Sequence, residues 1–161
     1  MTKNHGRSFA GKVALVTGGS RGIGEGIVRR LAADGAAVAF TYSSSEEKAK
    51  RLAREIEAAG GKALPIRADS VSAEAVRAAV DQVAKELGEL DIFVNNAGIL
   101  IRGTVDRYSL EDFDRMLAIN TRAAFVGIQA ASEHMKSGGR IMLIGTTLPS
   151  AQRFPEPASI A

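Results

Sequence analysis

The chain has 161 residues, the length of one domain, and 45% apolar and 24% charged residues, which is typical of a soluble globular protein. Its net charge of +3 is spread along the sequence and aromatic residues are few, which argues against a nucleic-acid partner. The absence of cysteine excludes disulfides and thiolate zinc sites. No apolar run has the length of a membrane span, and residues 1–10 lack the apolar core of a signal peptide. We therefore expect a cytoplasmic protein without a membrane partner.

The first predicted element is a short buried strand over residues 13–17, which leads into a glycine-rich turn and then a helix. The turn contains Gly18, Gly22 and Gly24, in the spacing G-x-x-x-G-x-G. Glycines permit a tight turn and close approach of a ligand, and the free amides at the start of a helix bind anions. Alone, this loop predicts either a dinucleotide site or a simple turn.

Strands and helices alternate along the rest of the chain. Helices are predicted over residues 23–34, 46–59, 72–87 and 110–135, the second capped by the serines at 43–45 and the last ended by Ser137-Gly138-Gly139. Strands are predicted over residues 36–41, 62–67, 90–94 and 140–144, the second of these weakened by Pro65. Residues 99–108 are predicted to be a loop, and residues 148–161 show no periodicity.

This alternation predicts an α/β fold, a doubly wound parallel sheet of the Rossmann type, formed by a single domain over residues 1–161. In such sheets, ligands bind at the carboxyl ends of the strands. Polar or small residues follow the predicted strands at these ends: Thr17-Gly18, Ser43, Asp69, Asn96 and Thr146.

Four segments together resemble the short-chain dehydrogenase/reductase family, and most closely its 3-oxoacyl-carrier-protein-reductase-like branch. They are Thr17-Gly18-Gly19-Ser20-Arg21-Gly22-Ile23-Gly24, Asp69, Asn95-Asn96-Ala97-Gly98 and Asn120. The resemblance implies a dinucleotide-dependent oxidoreductase whose cofactor contacts the glycine-rich turn. Residues Gly18, Ser20, Arg21, Gly22, Ile23 and Gly24 are its candidate binding residues there.

The charge around the second strand favours NADP (NADPH) over NAD. Proteins that bind the unphosphorylated dinucleotide usually place an acid at the end of this strand, where it holds the ribose 2′-hydroxyl. Here the strand ends without a carboxylate, and Ser43 and Arg21 are candidate ligands of a 2′-phosphate. The alternative is that Arg21 is a solvated loop residue and Ser43 a helix cap.

The resemblance also implies roles for residues at the later strand ends. Asp69, with the backbone of Ser70, would bind adenine, although Asp69 could instead cap the next helix. Asn96, Ala97 and Gly98 would lie beside the nicotinamide ribose, although the Asn95 and Asn96 amides could simply connect neighbouring strands.

Asn120 lies inside a predicted helix, where asparagine is unfavourable. The resemblance implies that it distorts the helix and holds a water of the proton relay. The alternative is an exposed polar position.

Carbonyl reduction by this family uses a serine, a tyrosine and a lysine four residues after the tyrosine. Thr146 stands at the serine position, with Thr147 as second choice, so these and Asn120 are the catalytic candidates. The Tyr-x-x-x-Lys pair is absent, because Tyr42 is followed four residues later by Glu46 and Tyr108 by Asp112. In one alignment Ser159 occupies the tyrosine position. In another alignment the tyrosine position falls just after Ala161.

We therefore expect a piece of a longer enzyme in which later strands and helices cover the fifth strand and the long helix. The expected activity is hydride transfer between NADPH and a carbonyl or secondary alcohol of the 3-oxoacyl or small-ketone class. The expected partners are this small molecule and further copies in a homo-oligomer, with no metal. The alternative is a non-catalytic dinucleotide-binding protein that lacks the proton donor.

Overall fold

Five parallel strands form one sheet in the order β3-β2-β1-β4-β5. The computed structural model describes residues 8–145. Its strands are β1 (Val13–Val16), β2 (Ala37–Tyr42), β3 (Lys62–Arg67), β4 (Leu90–Asn95) and β5 (Met135–Leu143). Its α-helices are α1 (Gly22–Ala33), α2 (Glu46–Ala58), α3 (Ala73–Leu87), α4 (Leu110–Leu117) and α5 (Ala123–His134). The predicted Rossmann-type sheet is confirmed.

Each face of the sheet packs against its own helices. On one face, Val28 of α1 and Leu52 of α2 lie in a cluster with strand residues such as Val16 and Phe40. On the other face, Val80 of α3 and Ala130 of α5 share a cluster with Leu15. Neighbouring residues of β1 therefore point to opposite cores, which explains why this strand is apolar at every position.

The third strand occupies residues 62–67, as predicted, in spite of Pro65. Among the described strands, β3 lies at the sheet edge and pairs only with β2. A proline lacks the amide needed to pair on both sides, so an edge position accommodates it.

The prediction of one helix over residues 110–135 was wrong. A π-helical turn at Ala118–Arg122, whose hydrogen bonds span one residue more than those of an α-helix, separates α4 from α5. It contains Asn120, which is exposed and whose side chain forms two hydrogen bonds with the backbone of Ile99. The local distortion expected at Asn120 is therefore present.

The boundary between the last helix and the last strand also differs from the prediction. The helix ends at His134, and β5 starts at Met135 rather than Arg140 because Met135 pairs with Leu90 of β4. The register then shifts between Leu90 and Ile92, and residues 136–139 form an irregular stretch with Gly138 at φ +85°. In the described sheet β5 is the other edge strand, and its Leu143 side chain is 58% exposed.

A buried carboxylate connects β1 to β4 at the amino edge of the sheet. Asp91, 6% exposed, accepts hydrogen bonds from Lys12 Nζ at 2.8 Å and from the Val13 amide at 2.9 Å. A cavity of about 460 Å³ lies near this edge, between the ends of α1 and α2 and the starts of the first three strands. Among the helices of residues 8–145, none is both long and apolar enough to cross a membrane.

Candidate functional site

The carboxyl ends of three neighbouring strands are connected by hydrogen bonds at the point where the strand order reverses. The Thr17 hydroxyl, at the end of β1, accepts from the amides of Asn96 and Ala97, each at 2.9 Å. The Thr41 hydroxyl of β2 accepts from the Gly18 amide at 3.0 Å. Ligands of doubly wound sheets bind in the crevice at this reversal. The structure thus brings the predicted turns after β1 and β4 together.

The side chain of Asn96 is part of the same connection. Its Nδ2 donates to the carbonyl oxygens of Thr17 at 2.9 Å and Gly18 at 3.1 Å. The Asn96 amide therefore connects the ends of β4 and β1, as in the alternative given above, and a role of Asn96, Ala97 and Gly98 beside a nicotinamide ribose stays a prediction. Asn95 is buried inside β4.

The glycines of the turn are required by space and by conformation. Gly18 and Gly22 have φ values of +65° and +57°, in the left-handed region. A Cβ on Gly24 would collide with the Gly18 carbonyl oxygen and would lie 2.5 Å from Asn96 Nδ2. Helix α1 therefore approaches the ends of β1 and β4 more closely than any residue with a side chain would allow.

The start of α1 forms a positively polarised rim beside this turn. The helix begins at Gly22, so its first amides have no acceptor within the helix. Ser20 is buried, whereas Ile23 is 69% exposed. The N-cap residue Arg21 has an extended backbone and is exposed. This geometry suits an anion such as a pyrophosphate.

The end of β2 presents Ser43 to solvent, and the strand ends without a carboxylate. The N-cap of α2 is Ser45, which makes no side-chain capping bond, so the alternative role of Ser43 as a cap is wrong. The first acid that follows in the sequence is Glu46, whose Oε1 lies 2.7 Å from Lys50 Nζ. The bond from Lys50, its charge and the charge of Arg67 lower the pKa of Glu46.

The loop after β3 is organised by Asp69. Its Oδ1 accepts from the Val71 amide at 3.0 Å, and its carbonyl accepts from the Ser72 amide at 3.0 Å. Helix α3 is capped by Ser72, whose Oγ accepts from the Ala75 amide, so the alternative role of Asp69 as the cap is wrong. Asp69 is exposed and Ser70 half-buried at the same edge of the sheet as Ser43.

Asn120 lies beside the loop that follows β4. Its Oδ1 accepts from the Ile99 amide and its Nδ2 donates to the Ile99 carbonyl, both at 2.9 Å. A Cβ on Gly98 would lie 3.3 Å from the same Oδ1. The π-helical turn is thus fastened to the end of the Asn96-Ala97-Gly98 segment.

The remaining catalytic candidates, Thr146 and Thr147, lie outside the described residues, as does Ser159. Within residues 8–145, no group of three or more His, Cys, Asp or Glu side chains is placed to hold a metal ion. Thr41 is a site residue that was not predicted, although a threonine between apolar residues near the end of a buried strand is a signal in the sequence.

Two glycines of α1 provide a test of the close approach. We expect Gly24→Ala to destabilise the fold by about 1–3 kcal/mol, because its methyl must displace backbone. Gly26→Ala, the matched control, meets nothing within 4 Å and should stabilise by roughly 0.5–1 kcal/mol, since alanine is the better helix former. Urea unfolding followed by circular dichroism measures both. Equal midpoints for the two variants would contradict the packing described.

Comparison with known proteins completes the description of the site. The short chain dehydrogenase family model matches residues 12–154. A hydroxynaphthalene reductase-like protein, Arp2, of Metarhizium guizhouense is 40% identical over 155 residues, which cover 96% of this chain and 58% of the relative.

Two solved structures are similar to the chain. A short-chain dehydrogenase/reductase from Serratia marcescens BCRC 10948 is 52% identical with a TM-score of 0.86, over 92% of this chain and 60% of the other. A short chain dehydrogenase from Burkholderia cenocepacia J2315 in complex with NADP is 54% identical with a TM-score of 0.83, over 84% of this chain and 56% of the other. The chain thus spans less than two thirds of the length of these relatives. It belongs to the short-chain dehydrogenase/reductase family.

Proposed function

We propose that this chain is the cofactor-binding part of an NADP(H)-dependent oxidoreductase. The observation that carries the proposal is the crevice between the ends of β1 and β4, where glycine backbone, free helix amides and Arg21 converge. A dinucleotide pyrophosphate is the ligand chemistry that this combination suits. The Burkholderia cenocepacia relative, solved with NADP, supports the choice of ligand.

The phosphorylated cofactor follows from the charges around the adenosine side. A carboxylate at the end of β2 would repel a 2′-phosphate, and here that position carries the exposed hydroxyl of Ser43. The first acid beyond it, Glu46, is paired with Lys50. Arg21, at the start of α1, adds a guanidinium that can hold phosphate oxygens in a bidentate manner. We infer that Arg21 and Ser43 together bind the 2′-phosphate.

The other candidate residues lie along the same edge and are assigned to different parts of the cofactor. In this proposal the turn residues Gly18, Ser20, Gly22, Ile23 and Gly24 surround the pyrophosphate. Asp69 and Ser70 bind adenine, and the exposed carboxylate of Asp69 has an acceptor oxygen beyond the one that bonds the Val71 amide. Asn96, Ala97 and Gly98 lie beside the nicotinamide ribose.

The proposed reaction is reduction of a carbonyl or oxidation of the matching secondary alcohol. Bound NADPH supplies the hydride. The chain's own residues bind the nucleotide and orient the catalytic segment: Asn120 fixes the Ile99 backbone next to Gly98 through two hydrogen bonds. Thr146 is proposed to polarise the substrate carbonyl through its hydroxyl. The proton donor is proposed to be a Tyr-x-x-x-Lys pair in a longer form of the protein.

The reductase name of the Metarhizium relative supports this enzyme class, and it does not favour the non-catalytic alternative. We propose a small-molecule substrate of the 3-oxoacyl or small-ketone class. We further propose that residues 1–161 form one domain of a cytoplasmic homo-oligomeric enzyme.

Cofactor preference tests the role of Arg21. We expect Arg21→Ala to weaken NADPH binding by roughly 1–3 kcal/mol, the usual contribution of a charged hydrogen bond, and to leave NADH binding nearly unchanged. Fluorescence titration with each cofactor measures this difference. Arg54→Ala, a matched exposed arginine on α2, controls for the loss of net charge. Equal losses for NADPH and NADH in Arg21→Ala would refute the phosphate contact.

Turnover tests the division between binding and catalysis. The 161-residue polypeptide, which has no Tyr-x-x-x-Lys, should bind NADPH but oxidise none with a panel of ketones. A polypeptide that carries this pair directly after Ala161 and extends to the length of the relatives should turn over under the same conditions. Absorbance at the reduced nicotinamide band follows the reaction. Rates in the shorter polypeptide as high as in the extended one would show that the proton donor lies within residues 1–161.

A further inference from the structure

An arginine of the π-helical turn contacts the loop that follows β3. Arg122 Nη2 donates a hydrogen bond of 2.7 Å to the carbonyl oxygen of Val71, a residue 51 positions earlier in the chain. Val71 follows directly after Asp69 and Ser70, the proposed adenine-binding pair. A side chain of the helical layer is therefore bonded to the adenosine side of the cofactor crevice.

The bond from Arg122 adds to two hydrogen bonds within this loop. On its amino-terminal side, the Val71 amide donates to Asp69 Oδ1, and the Ser72 amide donates to the Asp69 carbonyl. Both bonds are internal to the loop. The Ala68 amide, at the start of the loop, donates to the Tyr42 carbonyl of β2, and the bond from Arg122 to the Val71 carbonyl relates the other end of the loop to the π-helical turn.

Packing supports the start of this loop more than its end. Ala68 is buried in the core and Ser70 is half-buried, whereas Asp69 is exposed and Val71 is 36% exposed. Polar contacts therefore contribute to the position of Val71. Arg122 also lies near the first turn of α3: the pKa of Glu74 is lowered by its backbone hydrogen bond, by its bond from Ser72, and further by the charge of Arg122.

The same π-helical turn fastens the nicotinamide side. Asn120, two residues before Arg122, holds the backbone of Ile99 after β4. The turn thus bonds two loops at the carboxyl edge of the sheet, one next to Asp69 and one next to Gly98. Both contacts start from residues of the π-helical turn.

We propose that Arg122 is a positioning residue for the adenosine half of the cofactor site. It holds the Asp69-Ser70-Val71 segment in place, and through the π-helical turn it couples that segment to the nicotinamide side. This inference rests on the proposed function, because it takes Asp69 and Ser70 to be the adenine-binding residues. Arg122 itself does not contact the cofactor.

Calorimetric binding of 2′,5′-ADP, the adenosine half of NADP, tests this role in the 161-residue chain. We expect Arg122→Met to weaken binding roughly three- to tenfold, a change within the range of indirect contributions transmitted through packed networks. Arg122→Lys, which conserves the charge and a donor, should recover part of the affinity. Arg115→Met removes an exposed arginine of α4 and should bind as the wild type does.

Hydrogen–deuterium exchange adds a readout that a purely structural contribution of Arg122 would not produce. We expect faster exchange at Val71 and Ser72 in Arg122→Met, restored by saturating 2′,5′-ADP, while amides in the core of β1 remain protected. Uniformly faster exchange across the sheet would instead indicate global destabilisation and would overturn the positioning role.

The outcomes separate this inference from the proposed function. If the wild type does not bind 2′,5′-ADP, the proposed function and the inference both fail. If the wild type binds and Arg122→Met binds equally well, the proposed function stands and the positioning role of Arg122 is overturned.

Discussion

The site depends on the two hydrogen bonds that the Thr17 hydroxyl accepts from the Asn96 and Ala97 amides. They join β1 to β4 at the point where the order of the sheet reverses, so the turns that follow these strands keep a fixed separation. Asn96 strengthens the junction by donating back to the Thr17 and Gly18 carbonyl oxygens. Because these bonds join side chains to the backbone of the two turns, the glycine turn is held in place before any ligand binds, which lowers the ordering cost of binding.

Charge distinguishes the two edges of the sheet. At the amino edge, Lys12 is paired with the buried Asp91, and Arg29, which borders the 460 Å³ cavity, bonds Glu25 and Glu55. These two cations are already engaged by carboxylates. At the carboxyl edge, Arg21 is exposed and the start of α1 presents free amides. The crevice at the carboxyl edge therefore has the chemistry of a phosphate site.

Much of the fold was predictable because buried parallel strands leave a clear pattern: residues 62–67 form β3 as expected, and β1 is apolar throughout. The glycine turn was predictable because few residues tolerate its geometry. The π-helical turn was not, since Asn120 signals only that a regular helix is unfavourable there and not which loop its side chain will bond. The contacts of Thr41 and Arg122 join positions 23 and 51 residues apart, and such pairings depend on tertiary packing that periodicity does not encode.

The central claim is that the nucleotide binds at the carboxyl edge of the sheet, and amide chemical-shift mapping by NMR tests it most directly. Titration of the chain with NADPH should shift the amides of Gly18, Gly22, Ser70 and Ala97. It should leave Gly60 and Gly61, which line the cavity at the amino edge, unchanged. Shifts confined to Gly60, Gly61 and their neighbours, with none in the glycine turn, would contradict the claim.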